Sequence, residues 1–275
     1  MSAALEELLQ IMRTLRDPQR GCAWDRVQTF ASIAPSTLEE AFEVVDAIER
    51  EDLNQLKDEL GDLLFQVVFH AQMASEQGRF DFEAVAAGMR DKLVRRHPHV
   101  FAGAAAPDAR TQSQQWEALK AQERAAAAGD TPLSELDGVA LALPALTRAV
   151  KLSKRAARVG FDWDRPQQTA AKVAEELDEV LAAIEEHAGG GPSAHIVEEI
   201  GDLLFAAANL ARKVDVDAEG ALRAANAKFE RRFRFIEAAV RAAHADIRQL
   251  PLAALEALWE QAKRQERGAT GLNDA

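Results

Sequence analysis

The sequence predicts an all-α protein, and three observations support this fold class. Apolar residues recur at intervals of three and four over 56–71 and 196–210, which is the period of an amphipathic helix. Valine, isoleucine and threonine never alternate with polar residues over the length of a strand, and tyrosine is absent. Alanine, leucine, glutamate and arginine dominate the composition, and they favour helices. We therefore expect helices almost everywhere.

The helical elements follow one another from the N-terminus. Residues 1–10 form an acidic amphipathic pattern, which predicts a first helix. The segment from Ser36 to Glu39 matches a capping box, which predicts the start of the next long helix. A turn is expected near Glu51-Asp52, and a second turn is expected in the Gly189–Pro192 run, because glycine and proline break helices.

An acidic pattern occurs twice in the chain. Each copy has a Glu-Glu-x-x-Glu segment followed by a Glu-x-x-Asp segment, and the second segments read ELGDLLF and EIGDLLF. On a helix, positions i and i+3 share a face, so each segment presents two carboxylates together. Those carboxylates are Glu40, Glu43, Glu59 and Asp62 in the first copy, and Glu176, Glu179, Glu199 and Asp202 in the second.

An antiparallel helical hairpin would bring these two pairs together. With a turn at Glu51-Asp52, Glu43 lies opposite Glu59 and Glu40 lies opposite Asp62. The second copy gives the same pairing when its turn is placed at Gly189. The sequence therefore predicts a group of four carboxylates in each hairpin.

Four carboxylates this close raise one another's pKa values unless a cation lies between them. Oxygen donors without histidine or cysteine favour hard ions, so Mg²⁺ is the expected metal and Mn²⁺ an alternative. A single Glu-x-x-Glu pair is usually a solvated helix face, but two matched copies make that interpretation much weaker. Glu39 and Glu175 stand beside the groups and rank below them.

The repetition extends beyond the acidic residues and predicts two domains. Trp-Asp-Arg occurs at 24–26 and 163–165, Lys-x-x-Arg-Arg at 92–96 and 228–232, and Trp-Glu-x-x-Lys at 116–120 and 259–263. Segments rich in alanine, glycine and proline lie on both sides of Trp116 and indicate a linker. We place the N-terminal repeat with its linker at 1–130 and the C-terminal repeat at 131–275.

Composition excludes several classes of protein. The net charge of −12 argues against a stable nucleic-acid partner. No signal peptide and no apolar run long enough for a membrane span is visible, so we expect a cytoplasmic protein without a membrane partner. The single cysteine, Cys22, excludes internal disulfides and is expected to be a small buried residue. No Gly-Lys-Ser/Thr phosphate loop occurs.

Carboxylates that hold Mg²⁺ beside lysines and arginines point to a polyphosphate substrate, because the metal ion and the basic side chains together neutralise its negative charge. On these motifs the chain resembles the MazG family of nucleoside triphosphate pyrophosphohydrolases, which belongs to the all-α NTP pyrophosphatase superfamily. The resemblance covers nearly the whole chain. It implies tandem MazG-type helical bundles in an intertwined homodimer that hydrolyses NTPs and dNTPs to NMPs or dNMPs and pyrophosphate, as a house-cleaning activity.

The resemblance also implies roles for individual residues. Metal ligands fall on the four carboxylates of each copy, and Glu198 and Glu175 flank the second group. Catalysis is expected in the second copy, because the first has Ser36 where the second has Lys172. The catalytic residues would be Glu175, Glu176, Glu179, Glu199 and Asp202. Phosphate and nucleotide contacts would fall on Lys120, Lys172, Lys228, Arg232, Trp259 and Lys263.

Three alternatives stay open at this stage. Trp259 is either a base-stacking residue or a core aromatic. Another superfamily activity, such as a dUTP-type or phosphoribosyl-ATP pyrophosphohydrolase, fits the carboxylates, although tandem repeats favour MazG. The third alternative is a non-enzymatic helical metal protein or a metal-free dimer. A helical iron protein usually has Glu-x-x-His motifs. We expect none of the six histidines to lie beside the carboxylates.

Overall fold

The computed structural model describes residues 3–103, 108, 111–112, 116, 118–120, 122–123 and 134–270, without the side chains of 269 and 270. Within these residues the secondary structure is helical and no strand occurs, which confirms the all-α fold class. No helix in this part of the chain is both long and apolar enough to cross a membrane.

The chain divides into two compact units, Met1–Glu123 and Arg124–Ala275. The boundary that the sequence suggested, at residue 130, lies outside the described residues and stays a prediction. So does the proposed linker, which falls mostly on undescribed positions between 104 and 133.

The first unit is built around a hairpin of two long helices, α3 and α4. Helix α4 also packs against α1 and α5. The helices of this unit are α1 (Ala3–Leu15), α2 (Ala23–Val27), α3 (Phe30–Glu49), α4 (Leu53–Glu76), α5 (Phe82–Arg96) and α6 (Pro98–Phe101).

The second unit repeats this hairpin with α8 and α9. Helix α7 packs on α9, and α10 contacts both α7 and α11. The elements are α7 (Ala145–Arg158), α8 (Pro166–Ala188), α9 (Ser193–Lys213), α10 (Ala218–Ala242), a 3₁₀ turn (Ile247–Gln249) and α11 (Leu252–Thr270).

The turn of the first hairpin lies where the sequence predicted it. Helix α3 ends at Glu49, and Glu51 adopts a left-handed conformation with φ 57°. The side chain of Asp52 then accepts hydrogen bonds from the backbone N–H groups of Asn54 and Gln55, both at 3.0 Å, and begins α4.

The start of α3 differs from the prediction. The helix begins at Phe30 and not at Ser36, because Thr29 and Ser32 form the capping box: the Ser32 N–H donates to Thr29 Oγ1 at 3.2 Å, and the Thr29 N–H donates to Ser32 Oγ at 2.8 Å. The Ser36–Glu39 match was therefore wrong, and Glu39 lies inside the helix.

The turn of the second hairpin is also confirmed. Helix α8 ends at Ala188, and Gly190 has φ +101°, a conformation that strongly favours glycine. Pro192 then precedes the first residue of α9, Ser193. The two hairpins thus differ in loop length but retain the same helix pairing.

The cores of the two units differ in the size of their side chains. In the first unit Met12, Ile33, Val68, Phe69 and Met73 are almost fully buried together. In the second, a cluster of Ala149, Ala208 and Ala218 packs against Leu146 and Val150. The second unit therefore encloses less large apolar volume in these clusters.

Both hairpins also present apolar residues to solvent. We define the outer apolar face as the exposed leucine, isoleucine and valine residues of α4 and α9. Leu60 and Leu64 in α4 correspond to Ile200 and Leu204 in α9, and each is at least 40% exposed. The members of this face are Leu53, Leu60, Leu64, Val67, Val197, Ile200 and Leu204.

Cys22 is exposed, so the prediction of a buried cysteine was wrong. It precedes the short helix α2, and its backbone N–H donates to the carbonyl of Leu15 at 2.8 Å. This backbone contact fixes the segment without burying the thiol.

Candidate active site

The C-terminal carboxylate group is formed where α8 packs along α9. One oxygen each of Glu176, Glu199 and Asp202 lies within 4.8 Å of the others. Glu176 is buried, Glu199 is half-buried and Asp202 is exposed, so the group opens towards solvent on one side. The structure therefore brings together three of the four carboxylates that the sequence paired.

Glu179 lies next to this group without being one of its three members. Partial desolvation, a hydrogen bond with Glu176 and the charge of Glu199 raise the pKa of Glu179, although the nearby Lys172 acts in the opposite direction. Glu179 therefore interacts with two members of the group, Glu176 and Glu199.

The N-terminal carboxylate group consists of Glu40, Glu43 and Glu59, again with one oxygen of each within 4.8 Å of the others. Asp62 does not belong to it at this distance. Desolvation, followed by the charges of Glu59, Glu40 and Glu39, raises the pKa of Glu43. Both hairpins thus concentrate negative charge at the same place.

The chemistry of these groups fits a hard divalent cation. All donors are carboxylate oxygens, which Mg²⁺ and Mn²⁺ accept. In the first hairpin Gln66 Nε2 donates to Glu40 Oε1 at 3.4 Å, while its buried Oε1 has no hydrogen-bond partner among the described residues. A buried carbonyl oxygen without a donor beside three carboxylates is consistent with a site built for a cation.

Among the described residues, basic side chains contact the carboxylate group of the second hairpin but not that of the first. Lys172 Nζ lies 2.7 Å from Glu175 Oε1 and 2.9 Å from Glu176 Oε1, and these hydrogen bonds raise the pKa of Lys172. The corresponding position of the first hairpin is Ser36. Glu175 therefore acts here as a partner of Lys172 rather than as a member of the group.

His195 also contacts the C-terminal group, so the expectation that no histidine lies beside the carboxylates was wrong. Its Nε2 lies 3.0 Å from Glu199 Oε1, and its Nδ1 lies 2.9 Å from Glu186 Oε2. The sequence search considered histidine three residues after a glutamate, whereas His195 precedes Glu199 by one helical turn. The i, i+4 spacing could have revealed it.

A cavity of about 550 Å³ adjoins the C-terminal group. Glu176 and Asp202 line it, together with the aromatic rings of Phe161 and Trp163 and the amide of Asn209. The cavity thus combines metal-binding carboxylates with apolar surface and a few polar groups, as ligand pockets usually do. Sequence reasoning missed Phe161 and Asn209.

The loop that carries Phe161 and Trp163 is tied to α9 by ion pairs. Asp162 Oδ1 lies 2.6 Å from Arg212 Nη2, and Asp162 Oδ2 lies 3.2 Å from Lys213 Nζ. Arg212 Nε also donates to Asn209 Oδ1 at 2.8 Å. These contacts hold the aromatic side of the cavity at a fixed position.

The family model of the MazG nucleotide pyrophosphohydrolase domain matches residues 28–101 and 164–234. The chain belongs to this family. Each matched MazG segment contains one hairpin with its carboxylates, so the two copies seen in the sequence are two MazG segments. Lys172, Lys228 and Arg232 fall inside the second segment, whereas Lys120, Trp259 and Lys263 fall outside both.

Two nucleoside triphosphate pyrophosphohydrolases are similar to this chain over nearly their full length. The nucleoside triphosphate pyrophosphohydrolase of Escherichia coli K12 is 52% identical over 95% of this chain and 98% of its own length. The nucleoside triphosphate pyrophosphohydrolase/pyrophosphatase MazG of Thermotoga maritima is 41% identical over 94% and 95%. The uncharacterised protein YabN of Bacillus subtilis is 39% identical over 94% of this chain but 51% of its own length.

Two of the predicted nucleotide contacts on α10 and α11, Arg232 and Trp259, lie together in a cluster with Glu266 and Phe229. Arg232 Nε donates to Glu266 Oε2 at 2.8 Å, its guanidinium lies 5.4 Å from the Trp259 ring, and Trp259 lies 5.4 Å from Phe229. Lys263 pairs with Glu260 at 2.7 Å. In the described part of the chain, no hydrogen bond or ion pair joins this cluster to the carboxylates.

The first unit repeats that cluster. Arg95 and Arg96 both pair with Glu123 at 2.5 Å, and Trp116 Nε1 donates to the carbonyl of Arg96 at 3.0 Å. Lys120 belongs to this first unit. The roles that the resemblance assigns to Lys120, Lys228, Arg232, Trp259 and Lys263 therefore stay predictions.

Proposed function

We propose that the protein is a nucleoside triphosphate pyrophosphohydrolase that cleaves NTPs and dNTPs to nucleoside monophosphates and pyrophosphate with Mg²⁺, or Mn²⁺ in its place. The observation that carries the proposal is the carboxylate group of Glu176, Glu199 and Asp202 beside a cavity of about 550 Å³. The similarity to the nucleoside triphosphate pyrophosphohydrolases of E. coli and T. maritima supports it.

Glu176, Glu199 and Asp202 would hold the metal, and Glu179 would complete the set when the cation offsets its charge. A bound Mg²⁺ supplies charge for the triphosphate and lowers the pKa of a coordinated water. Glu175 keeps Lys172 beside the group, where its ammonium can meet a phosphate oxygen. The nucleoside would occupy the cavity that Phe161 and Trp163 line, because an aromatic ring can stack on any base.

The remaining basic side chains would bind the phosphates that leave as pyrophosphate. Lys228, Arg232 and Lys263 stand on α10 and α11 with Trp259, and Lys120 is a further phosphate contact in this proposal. Arg232 would exchange its ion pair with Glu266 for phosphate oxygens, which a guanidinium binds in bidentate fashion.

We place catalysis in the C-terminal copy because, among the described residues, that group contacts a lysine and a histidine and the N-terminal group contacts neither. At the equivalent positions the N-terminal copy has Ser36 and Gln55, which carry no charge. Glu40, Glu43, Glu59 and Asp62 would still bind a cation, whose role we assign to stabilising the first hairpin rather than to turnover.

We also propose a homodimer assembled through the outer apolar face. Exposed contiguous apolar surface marks a protein interface, and a two-fold axis would cover the face of each hairpin with its own equivalent. The substrates place the activity in the cytoplasm, where nucleotide pools are present. Nucleic acid and membrane are not partners in this proposal.

The test is product analysis with each NTP and dNTP, including dUTP, in Mg²⁺. Nucleoside monophosphate plus pyrophosphate, lost in Glu199→Ala, would support the proposal. Nucleoside diphosphate plus phosphate would contradict the bond that we assign, and turnover of dUTP alone would support the dUTP-type activity. Absence of product with retained Mn²⁺ binding would support a non-enzymatic metal protein.

A further inference from the structure

We propose that His195 is a positioning residue that orients Glu199 for the metal. It holds one oxygen of the Glu199 carboxylate so that the other faces Glu176 and Asp202. This inference rests on the metal site of the proposed function.

The geometry shows a bridge between the two helices of the hairpin. Glu186 lies in the last turn of α8, and His195 lies in the first turn of α9, across the turn at 189–192. The imidazole spans these helix ends, with Nδ1 2.9 Å from Glu186 Oε2 and Nε2 3.0 Å from Glu199 Oε1. The ring is therefore fixed on both sides.

The first hairpin makes the same contact with a different side chain. Gln55 stands four residues before Glu59, as His195 stands four residues before Glu199, and Gln55 Nε2 donates to Glu59 Oε1 at 3.3 Å. Two chemically unrelated side chains thus place a nitrogen on the glutamate carboxylate at equivalent positions of the two hairpins. The recurrence argues for a positional requirement rather than for a chance helix-surface contact.

Among the described residues, the contact of this side chain with a second carboxylate occurs only in the second hairpin, where His195 contacts Glu186. The position that corresponds to Glu186 is Arg50, which pairs with Asp46 instead of with Gln55. His195 is thus held by a second carboxylate, whereas Gln55 shows no such hydrogen bond among the described residues. We expect the carboxylate of Glu199 to be held more rigidly than that of Glu59.

The physical reason lies in the freedom of a glutamate side chain. Glu199 is half-buried and its carboxylate can rotate, so an unrestrained side chain would divide its time between several orientations. A nitrogen on one oxygen fixes the plane and leaves the other oxygen for the cation. Loss of such outer contacts weakens metal binding by about 10–100-fold in other proteins.

The test measures Mn²⁺ binding without nucleotide, from the electron paramagnetic resonance signal of free Mn²⁺. The parent is Glu59→Ala, so that the C-terminal group dominates the titration. In this parent we expect His195→Ala to weaken Mn²⁺ binding by about tenfold and His195→Gln to restore it to within about threefold. We expect Glu186→Gln to weaken it less than His195→Ala does.

A kinetic measurement separates positioning from a structural role. His195→Ala should raise the Mg²⁺ concentration needed for half-maximal rate, while kcat at saturating Mg²⁺ changes little. Thermal melting of each variant without metal checks folding, and His195→Gln keeps the question decidable if His195→Ala does not fold. A matched control, Gln55→Ala in a Glu199→Ala parent, should weaken the first site likewise.

Unchanged Mn²⁺ affinity in His195→Ala would overturn the inference, and so would a His195→Gln variant as weak as His195→Ala. A Glu59→Ala parent that binds no Mn²⁺ would overturn the metal site and this inference together. Binding of Mn²⁺ that responds to His195 but occurs without nucleotide hydrolysis would support the inference and contradict the proposed activity.

Discussion

The two hairpins share their carboxylates but differ in what surrounds them. The C-terminal group contacts Lys172 and His195, whereas the N-terminal group has Ser36 and Gln55 at the same positions. The N-terminal group instead contacts Gln66, where the second hairpin has the smaller Ala206. The carboxylate pattern is thus common to both hairpins, whereas the charge of the side chains that contact it differs between them.

The largest expected effect on activity comes from replacing the equivalent glutamates of α9 and α4, Glu199 and Glu59. Glu199→Ala removes a metal ligand beside the cavity and should lower kcat/KM by at least about a thousandfold, since a bound metal supplies several kcal/mol. Glu59→Ala is the matched control and should retain most activity. Steady-state assays of pyrophosphate release measure both. The reverse result would assign catalysis to the N-terminal copy.

A smaller effect is expected from the basic neighbour of the C-terminal group. Lys172→Ala should raise KM for the nucleotide by about 10–100-fold, because a charged hydrogen bond to phosphate contributes about 1.5–3 kcal/mol. Ser36→Ala at the equivalent position should leave KM unchanged. If both variants behave alike, the charge difference between the copies does not decide which one binds the substrate.

The outer apolar face allows a comparison of the two hairpins in assembly. Ile200→Glu and Leu60→Glu each introduce a charge at an equivalent exposed position. Burying a leucine or isoleucine contributes about 1.5–3 kcal/mol, and in a two-fold interface the loss occurs twice. Sedimentation velocity should show monomers for a variant whose substituted residue lies in the dimer interface. A wild-type monomer would contradict the proposed homodimer.

The smallest expected effect concerns stability as a function of pH. Desolvation and neighbouring carboxylates raise the pKa of Glu179 in the folded protein, so the folded state favours its protonated form. The contribution of Glu179 to stability should therefore be fully present below its unfolded pKa of 4.5 and fall as the pH rises through its folded pKa. In EDTA, the Tm of Glu179→Gln minus the Tm of the wild type should therefore increase from pH 4 to pH 8.

Mg²⁺ sharpens this measurement, because a cation between the carboxylates removes the repulsion. Addition of Mg²⁺ should raise the Tm of the wild type more at pH 8 than at pH 5. Glu43→Gln provides the same comparison in the first hairpin, where Glu59 and Glu40 raise the pKa of Glu43. An equal Mg²⁺ effect at both pH values would contradict a site whose carboxylates lose protons on binding.

Local patterns predicted the hairpins well because their determinants are local. Helix periodicity and the breaks at Glu51-Asp52 and Gly189–Pro192 depend on neighbouring residues, and the structure confirms both turns. The start of α3 was predicted wrongly because Ser36–Glu39 also fits a capping box. Thr29 and Ser32 form the actual capping box, because α3 begins at Phe30 and continues through Ser36.

The sequence by itself determined that the protein is all-α, that its acidic pattern is duplicated and that each hairpin brings glutamates from two helices together. Only the tertiary structure decided that His195 contacts Glu199 and Glu186, that Asp62 stands apart from its group and that Phe161 and Asn209 line a cavity. The physical reason is range: helix period and turns act over a few residues, whereas contacts between side chains of different helices depend on rotamers and packing angles, which a linear pattern does not specify.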